Sequence, residues 1–333
     1  MQQADYVLGV DGGNTKTIAL IARMDGTIAG VGRGGCSDIY TSPSVDVPLL
    51  EVDRAVTAAL SMAGAQRESI VSGAFSLAGA DWPEDMVLLQ SAMQSRGLGK
   101  RITVVNDAVG ALRAGSVGGP AVVVVCGTGA AIAARSAAGE VWHSSWWQEP
   151  QGGNHLGTKT LRAVYRAALG IDPPTALTEG VLRHFEQESV EQVLYLLTRR
   201  EAEPAYRAKV SGLTRHLLDA AVAGDATAHE IAYEHGISLG DYALAAARRV
   251  GIEKEPFELV LSGGVLKHSS QVLPETLIAH VQSVSPGVIP VYSRFEPAVG
   301  ALLIALEQAG VTVDEPLLHR LTATLPESSL FAT

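Results

Sequence analysis

The sequence predicts an α/β protein of two domains, each built on a mixed sheet, and three observations carry that reading. Apolar, β-branched runs typical of buried strands alternate with stretches of helical spacing. Three strands run into glycine-bearing turns, at residues 11–15, 127–129 and 263–264. The pattern also restarts after Pro120, so that strand, glycine turn and strand open both halves, although the residues themselves are not duplicated. A length of 333 residues exceeds one ordinary domain and agrees with two.

Composition narrows the function. An apolar content of 47% supports large cores, and five Phe with 35 Gly suggest tight aliphatic packing and many turns. The formal net charge is −10 with no basic stripe, which argues against nucleic acid and anionic membrane as partners. Cys36 and Cys126 lie far apart and form no Cys-x-x-Cys pair. No N-terminal signal pattern is visible, and no apolar run reaches the ~18 residues of a membrane span. A soluble, cytoplasmic protein is expected.

In chain order, residues 5–22 come first. An apolar run ends in Asp11, Gly12-Gly13-Asn14-Thr15-Lys16 comes next, and a second strand leaves at Thr17. The glycines precede a strand rather than a helix, which excludes both the Gly-x-x-x-x-Gly-Lys-Ser/Thr loop and the Gly-x-Gly-x-x-Gly fingerprint. Gly12 and Gly13 can take backbone angles that other residues avoid, and they expose N–H groups as an anion cradle. Thr15 and Thr17 add hydroxyls and Lys16 a positive charge, while Asp11 can hold Mg²⁺ directly or through water. The plain alternative is a hairpin with no further task.

A third strand-like piece precedes Gly30-Val-Gly-Arg-Gly-Gly35, and 36–43 is an irregular loop. Residues 45–65 have helical spacing, with Leu49, Val52, Val56, Ala59 and Leu60 on one face. A buried strand (70–80), a helix opened by Pro83, Glu84 and Asp85, a strand (102–105) and a short helix (108–114) complete the first half. The second half shows strands at 121–126 and 130–135, a polar and aromatic stretch at 142–153, and mostly helix from 157 to 251. Breaks are expected near 170–174, 224 and Gly236. A strand (257–262), a helix (271–284), a strand (288–292), a helix (297–309) and a short closing helix and tail finish the chain. The expected domains are 1–117, 118–296 with a helical insertion, and 297–333 packing back on the first. Ligands in such folds sit beyond strand ends, which puts the three turns and Asp107, after a fourth strand, in position to serve one site.

These residues resemble the actin-like ATPase and sugar kinase superfamily, and within it the N-acetylglucosamine kinase / BadF-type ATPase family. Asp11-Gly-Gly-Asn-Thr-Lys-Thr17 resembles its first phosphate motif and Leu77-Ala78-Gly79 its substrate loop. Asn106-Asp107-Ala108 resembles the element holding the catalytic aspartate. Gly127-Thr128-Gly129 is similar to the second phosphate motif, Leu261-Ser-Gly263-Gly264-Val265 to the adenosine motif, and Pro297-Ala-Val-Gly-Ala301 to the closing helix. The resemblance implies two ribonuclease-H-like domains flanking a nucleotide cleft, with ATP and Mg²⁺ bound and a small sugar as acceptor.

On that basis Asp107 is the expected general base, against the alternative of a helix cap. Asp11 is the expected Mg²⁺ contact, against a turn residue, and Lys16 a phosphate contact, against a solvated charge. Gly127, Thr128 and Gly129 are expected on phosphate, and Gly263 and Gly264 on adenosine, against a plain hairpin and a helix entry. Asp38, Ala78, Gly79, Asn106, Trp147 and Glu149 are the expected substrate residues with Asp107. The chain departs from the family at 142–157: Gln148-Glu-Pro-Gln-Gly-Gly-Asn-His155 stands where a Gly-Asp-Glu-Gly-Ser-type loop is usual, and Pro150 replaces the second acid. Asp38 also replaces a more usual asparagine. Extra carboxylates at Asp38 and Glu149 suit a free amino group, and Trp142, Trp146 and Trp147 suit either a sugar face or an apolar flap or homodimer patch. His143 and His155 read as ordinary polar histidines.

Three functions remain open at this level. One is an ATP-dependent kinase acting on a hydroxyl, O6 first, of an N-acetylglucosamine- or glucosamine-like sugar. Another is an ATPase activator holding an iron–sulfur cluster between subunits. The third is an ATP-binding sensor without turnover.

Overall fold

The computed structural model describes residues 5–149, 151–200, 206 and 208–331. The chain divides into two compact units, Met1–Gly119 with Ser293–Thr333, and Pro120–Tyr292.

The first unit carries β1 (Tyr6–Gly12), β2 (Thr17–Arg23), β3 (Ile28–Gly34), α1 (Asp46–Ala63), β4 (Ile70–Leu77), α2 (Pro83–Ser95), β5 (Arg101–Asn106) and α3 (Asp107–Gly115). Its sheet runs β3-β2-β1-β4-β5, antiparallel from β1 through β3 and parallel from β1 to β5. Strand alternation divides β1 between two cores. Leu8 and Val10 face Leu49, Val52, Val56, Ala59 and Leu60 of α1, whereas Val7 faces the opposite layer. That layer belongs to the far end of the chain.

It is formed by α10 (Pro297–Gln308) and α11 (Glu315–Ala323). Leu302, Leu303 and Leu306 of α10 pack with Val7, Ile18 and Leu20. Two glycines make the approach close enough. A Cβ on Gly9 would lie 2.3 Å from the Leu302 backbone nitrogen, and one on Gly300 would lie 1.9 Å from the Gly110 carbonyl oxygen in α3. The helix therefore seats backbone to backbone on β1 and α3.

The second unit contains β6 (Ala121–Cys126), β7 (Ala130–Arg135), β8 (Val141–His143), β9 (Glu258–Ser262) and β10 (Ile289–Tyr292). Its order, β10-β9-β6-β7-β8, repeats the first sheet's pattern of pairings. Between β8 and β9 stand α4 (Gly153–Ala168), α5 (Leu177–Phe185), α6 (Val190–Thr198), α7 (Leu213–Val222) and α8 (Ala226–Arg249); α9 (Val272–Val284) precedes β10. Val122, Val124 and Ile132 of the sheet share one core with Leu161, Val164, Leu217, Leu239, Leu244 and Leu277. No helix among the described residues is long and apolar enough to cross a membrane.

Two local expectations change. Residues 141–143 add an edge strand where the sequence reads only as polar and aromatic, because Ala133, Ala134 and Arg135 offer them a pairing partner. The expected break at Gly236 is absent, and α8 continues through it. A Cβ there would stand 2.8 Å from both the Leu273 carbonyl oxygen and Thr276 Cβ, so the glycine serves the contact with α9. Tertiary packing offsets its poor helix propensity of about 1 kcal/mol.

The seating of α10 makes Gly300→Ala costly, by about 2–3 kcal/mol of unfolding free energy. Urea denaturation should show a lowered midpoint for this variant. Gly118→Ala, whose Cβ meets nothing within 4 Å, should leave the midpoint in place.

Candidate functional site

In the first unit the parallel register fixes the edge on which the motif residues emerge. Gly12 pairs with Leu77, and Leu77 with Asn106, so β1, β4 and β5 end side by side. The hairpin closes through a 3.0 Å hydrogen bond from the Gly13 amide to the Lys16 carbonyl. Neither Gly12 nor Gly13 has a positive φ, so the hairpin does not use that freedom. Gly12 is required for space instead: a Cβ would lie 2.2 Å from Ser37 Oγ and 2.6 Å from Leu77 Cδ2. The buried Ser37 hydroxyl beside it has no hydrogen-bond partner among the described residues.

Asn14 and Thr15 are exposed at the hairpin tip, whereas Thr17 is buried and donates to the Gly35 carbonyl at 2.7 Å. Lys16 is half-buried, and its Nζ donates to the Phe331 carbonyl; Arg33 donates to the neighbouring Leu330 carbonyl at 3.2 Å. The C-terminal turn Ser328–Phe331 thus caps the only cation of the hairpin sequence 11–17.

At the end of β5 the helix cap is Asn106, not Asp107. Asn106 Oδ1 accepts the Ala108 amide at 3.1 Å, and Asn106 Nδ2 donates to Asp81 Oδ1 at 3.0 Å. Asp107 is left half-buried as the first residue of α3. Burial and then the Asp81 charge push its carboxyl up to about 6, with Asp38 adding, against the pull of the first helix amides. Burial likewise pushes Asp11 up to about 7; Asp107 and Glu296 reinforce it and Lys16 opposes it. Asp38 is buried, accepts the Tyr40 amide at 2.9 Å, and would stand 3.1 Å from a Cβ on Gly79. The Ala78 amide donates to the Gly12 carbonyl at 2.8 Å, which ties the substrate-loop candidate to the hairpin.

This edge therefore gathers Asp11, Gly12, Gly13, Asn14, Thr15, Lys16, Asp38, Ala78, Gly79, Asn106 and Asp107. Asp81 and Ser37 belong with them and were missed. The signal for Asp81 was its place as the first acid after Leu77-Ala-Gly79; Ser37 had none beyond preceding Asp38.

The second unit brings two glycine turns together. Val125 pairs with Ser262, so Gly127 and Gly263 leave adjacent strand ends. Gly263 has φ +93°, and a Cβ on it would lie 2.3 Å from the Cys126 carbonyl oxygen, so no other residue fits. Cβ atoms on Gly127, Gly129 and Gly264 would meet nothing within 4 Å, which leaves this backbone open to a ligand. Trp147 is 63% exposed, with the Arg249 guanidinium 5.3 Å from its ring centre. Arg249 also lies 5.9 Å from the Trp142 ring centre. Glu149 is exposed, and its amide donates to the Tyr242 hydroxyl at 3.0 Å. Pro150 lies outside the described residues. Among those residues no group of three or more His, Cys, Asp or Glu converges as a metal site.

The model of the BadF/BadG/BcrA/BcrD ATPase family matches residues 8–305. The chain belongs to this family. It is 25% identical over 304 residues to an N-acetylmuramic acid/N-acetylglucosamine kinase of Clostridium acetobutylicum, covering 90% of this chain and 98% of that protein. It is 28% identical over 190 residues to a glucosamine kinase of Vibrio cholerae, covering 55% of this chain and 63% of the relative. A candidate N-acetylglucosamine kinase from Chromobacterium violaceum shares the fold, with TM-score 0.68 and 23% identity over 91% of this chain and 99% of its own. A ROK family glucokinase from Streptomyces griseus, solved with glucose and AMPPNP, has TM-score 0.57 and 17% identity over 91% and 99%. The fold class is that of the two-domain actin-like ATPases.

The raised carboxyls have a consequence for stability. A carboxyl whose folded pKa exceeds the 3.8 reference makes the folded state hold extra protons, so the stability it lends is full below about pH 4 and lost as pH rises through 6 to 7. Asp11→Asn and Asp107→Asn should therefore each be more stable than wild type at pH 8 without metal or nucleotide, by on the order of 1–3 kcal/mol. Thermal melts in chelator at pH 5 and pH 8 check this: the gain should shrink at the lower pH.

Proposed function

We propose that the protein is an ATP-dependent kinase that transfers the γ-phosphoryl group of ATP to a hydroxyl, O6 first, of an N-acetylglucosamine- or glucosamine-like sugar. The observation that carries the reading is Asp107: a half-buried carboxyl at a strand end, raised to about 6, its capping duty taken by Asn106. Phosphoryl transfer needs positioning, charge neutralisation and a proton acceptor, with little covalent work for the protein. Asp107 takes the proton as the sugar oxygen bonds to the γ-phosphorus and ADP leaves. A pKa near the working pH suits that task.

Asp11 is the expected Mg²⁺ contact, through water, because one carboxylate plus nucleotide phosphates and waters suits that ion better than an all-protein cage. The cation supplies charge neutralisation on the phosphates when bound. Gly12, Gly13, Asn14, Thr15 and Lys16 serve phosphate from the first unit, Lys16 by exchanging its Phe331 carbonyl for an anionic oxygen. Gly127, Thr128 and Gly129 serve phosphate, and Gly263 and Gly264 adenosine, from the second; the open space beside three of these glycines fits ligand contact with bare backbone. Asp38, Ala78, Gly79 and Asn106 shape the acceptor side with the orphan Ser37 hydroxyl, and Trp147 and Glu149 add sugar contacts. Asp38 and Glu149 favour an acceptor with an amino group. The activities of the Clostridium and Vibrio relatives support this reading.

The iron–sulfur activator fits poorly. Cys126 is fully buried, its thiol is pushed up to about 12 by burial, and it donates to the Gln151 carbonyl. A cluster shared between subunits needs accessible thiolates. The sensor alternative rests on the altered 148–155 loop.

A coupled ADP-release assay over hexoses, N-acetylhexosamines and aminohexoses separates the two remaining readings. Sugar-stimulated turnover is expected, and intact ATP binding without it leaves the sensor. Asp107→Asn should lower kcat by on the order of 10²–10⁴ while calorimetric ATP affinity changes little. In wild type, kcat/KM should fall as pH drops below about 6, where Asp107 becomes protonated.

A further inference from the structure

The helical insertion makes one contact that the kinase reading does not use. His235 lies in the middle of α8, only 1% exposed, with Nε2 2.6 Å from the Gln151 carbonyl oxygen. A carbonyl only accepts, so Nε2 carries the proton and Nδ1 is bare. That buried Nδ1 has no partner among the described residues. Burial, helped by His155 and Lys159, pushes the ring down to about 4, against the pull of the Gln151 bond. The neutral, Nε2-protonated tautomer is therefore the one present near pH 7. A buried histidine with one unsatisfied nitrogen is a standing cost to the fold.

Gln151 is held from two further directions. Its Nε2 donates to Ser238 Oγ at 2.8 Å, one turn along the same helix, and the Cys126 thiol at the end of β6 donates to its carbonyl at 3.4 Å. The next residues brace the turn 127–129. A Cβ on Gly152 would lie 2.3 Å from the Gly129 carbonyl carbon and 2.4 Å from the Thr128 oxygen. The Gly153 amide donates to the Gly127 carbonyl at 2.8 Å, and the Asn154 amide to the Thr128 carbonyl at 3.2 Å. Thr214 of α7 holds the Gly153 carbonyl in turn, at 2.9 Å. Each carbonyl so engaged fixes a peptide plane, and with it the direction of the amides left on the open side of the turn.

We infer that His235 is a positioning residue for the nucleotide-phosphate turn: it anchors the Gln151 carbonyl to α8, and the residues 151–154 so anchored hold Gly127-Thr128-Gly129 in the shape that receives phosphate. The inference rests on the ATP-binding part of the reading above and is independent of the sugar. It also gives residues 151–153, where the chain departs from its family, a task other than contacting the acceptor.

Calorimetric titration with ADP and Mg²⁺, thermal melts and steady-state sugar KM on wild type, His235→Leu and His235→Gln test it. A glutamine amide can occupy the place of Nε2 and donate the same bond; leucine cannot. His235→Leu should weaken ADP roughly tenfold with sugar KM unmoved, and His235→Gln should restore most of the affinity. A folded His235→Leu with wild-type ADP affinity would overturn the inference, as would His235→Gln no better than His235→Leu. If the leucine variant does not fold, His235→Asn replaces it, since its amide matches Nδ1 and falls short of the carbonyl; equal ADP affinity in the asparagine and glutamine variants would then count against the anchor. A wild type that fails to bind ADP overturns both this inference and the ATP reading.

Discussion

Parallel pairing is the constraint on which the candidate site depends. In a parallel sheet the chain leaves every strand at the same edge, and the loop after one strand is set beside the loop after its neighbour. The Gly12–Leu77–Asn106 register sets the hairpin, the Ala78–Gly79 loop and Asp107 in a row. The Val125–Ser262 register does the same for the two glycine turns of the second unit. Residues about a hundred positions apart or more are thereby made neighbours without any direct affinity for one another. A one-residue slip in β4 would turn its alternating side chains to the opposite layers and dismantle the row in the first unit.

The edge so assembled works against the fold's own stability. Asp11, Asp38, Asp81 and Asp107 crowd one end of a sheet whose remainder is aliphatic, and the two carboxyls with raised pKa values record lost hydration first and repulsion from neighbouring acids second. A structural role would have paired them with arginine, as Asp53 is paired with Arg67 and Arg96 on the same unit. No arginine bridges Asp11 or Asp107 among the described residues. Perturbed acids held this way, outside an ion-pair network, are more common at functional sites than in scaffolding.

Much of this was legible in the sequence because local and global signals agree there. The helical face Leu49, Val52, Val56, Ala59 and Leu60 is the buried face of α1, and the apolar runs at 121–126 and 130–135 are β6 and β7. What escaped depends on partners remote in the chain. Gly236 punctuates on propensity alone, and only the approach of α9 makes it a contact residue. β8 is polar and aromatic because it is an edge, and it needs β7 to be a strand at all. Asp107 as a cap was a fair local reading; Asn106 won because its amide could satisfy Ala108 and Asp81 at once. The Lys16–Phe331 contact spans almost the whole chain and has no local signature.

The two sheets share one order of strands but differ in what their edges offer. The first presents carboxylates on a tightly packed backbone, where a Cβ on Gly12 or Gly79 would collide with neighbouring side chains. The second presents bare peptide: Gly127, Gly129 and Gly264 open outward, and no acid stands in the turns 127–129 or 263–264. An anion bound by amide dipoles is repelled by nearby carboxylates, so the acid-free turns of the second scaffold suit an anion by backbone alone, whereas the first scaffold sets Lys16 beside Asp11. Repetition of one topology supplies those scaffolds cheaply, since the carboxyl edge arises from the pairing itself and only the turn residues need to diverge. The helical insertion then becomes intelligible as support. A turn with glycine on both sides of Thr128 has little side-chain packing to fix its own shape, and α8 reaches it through Gln151.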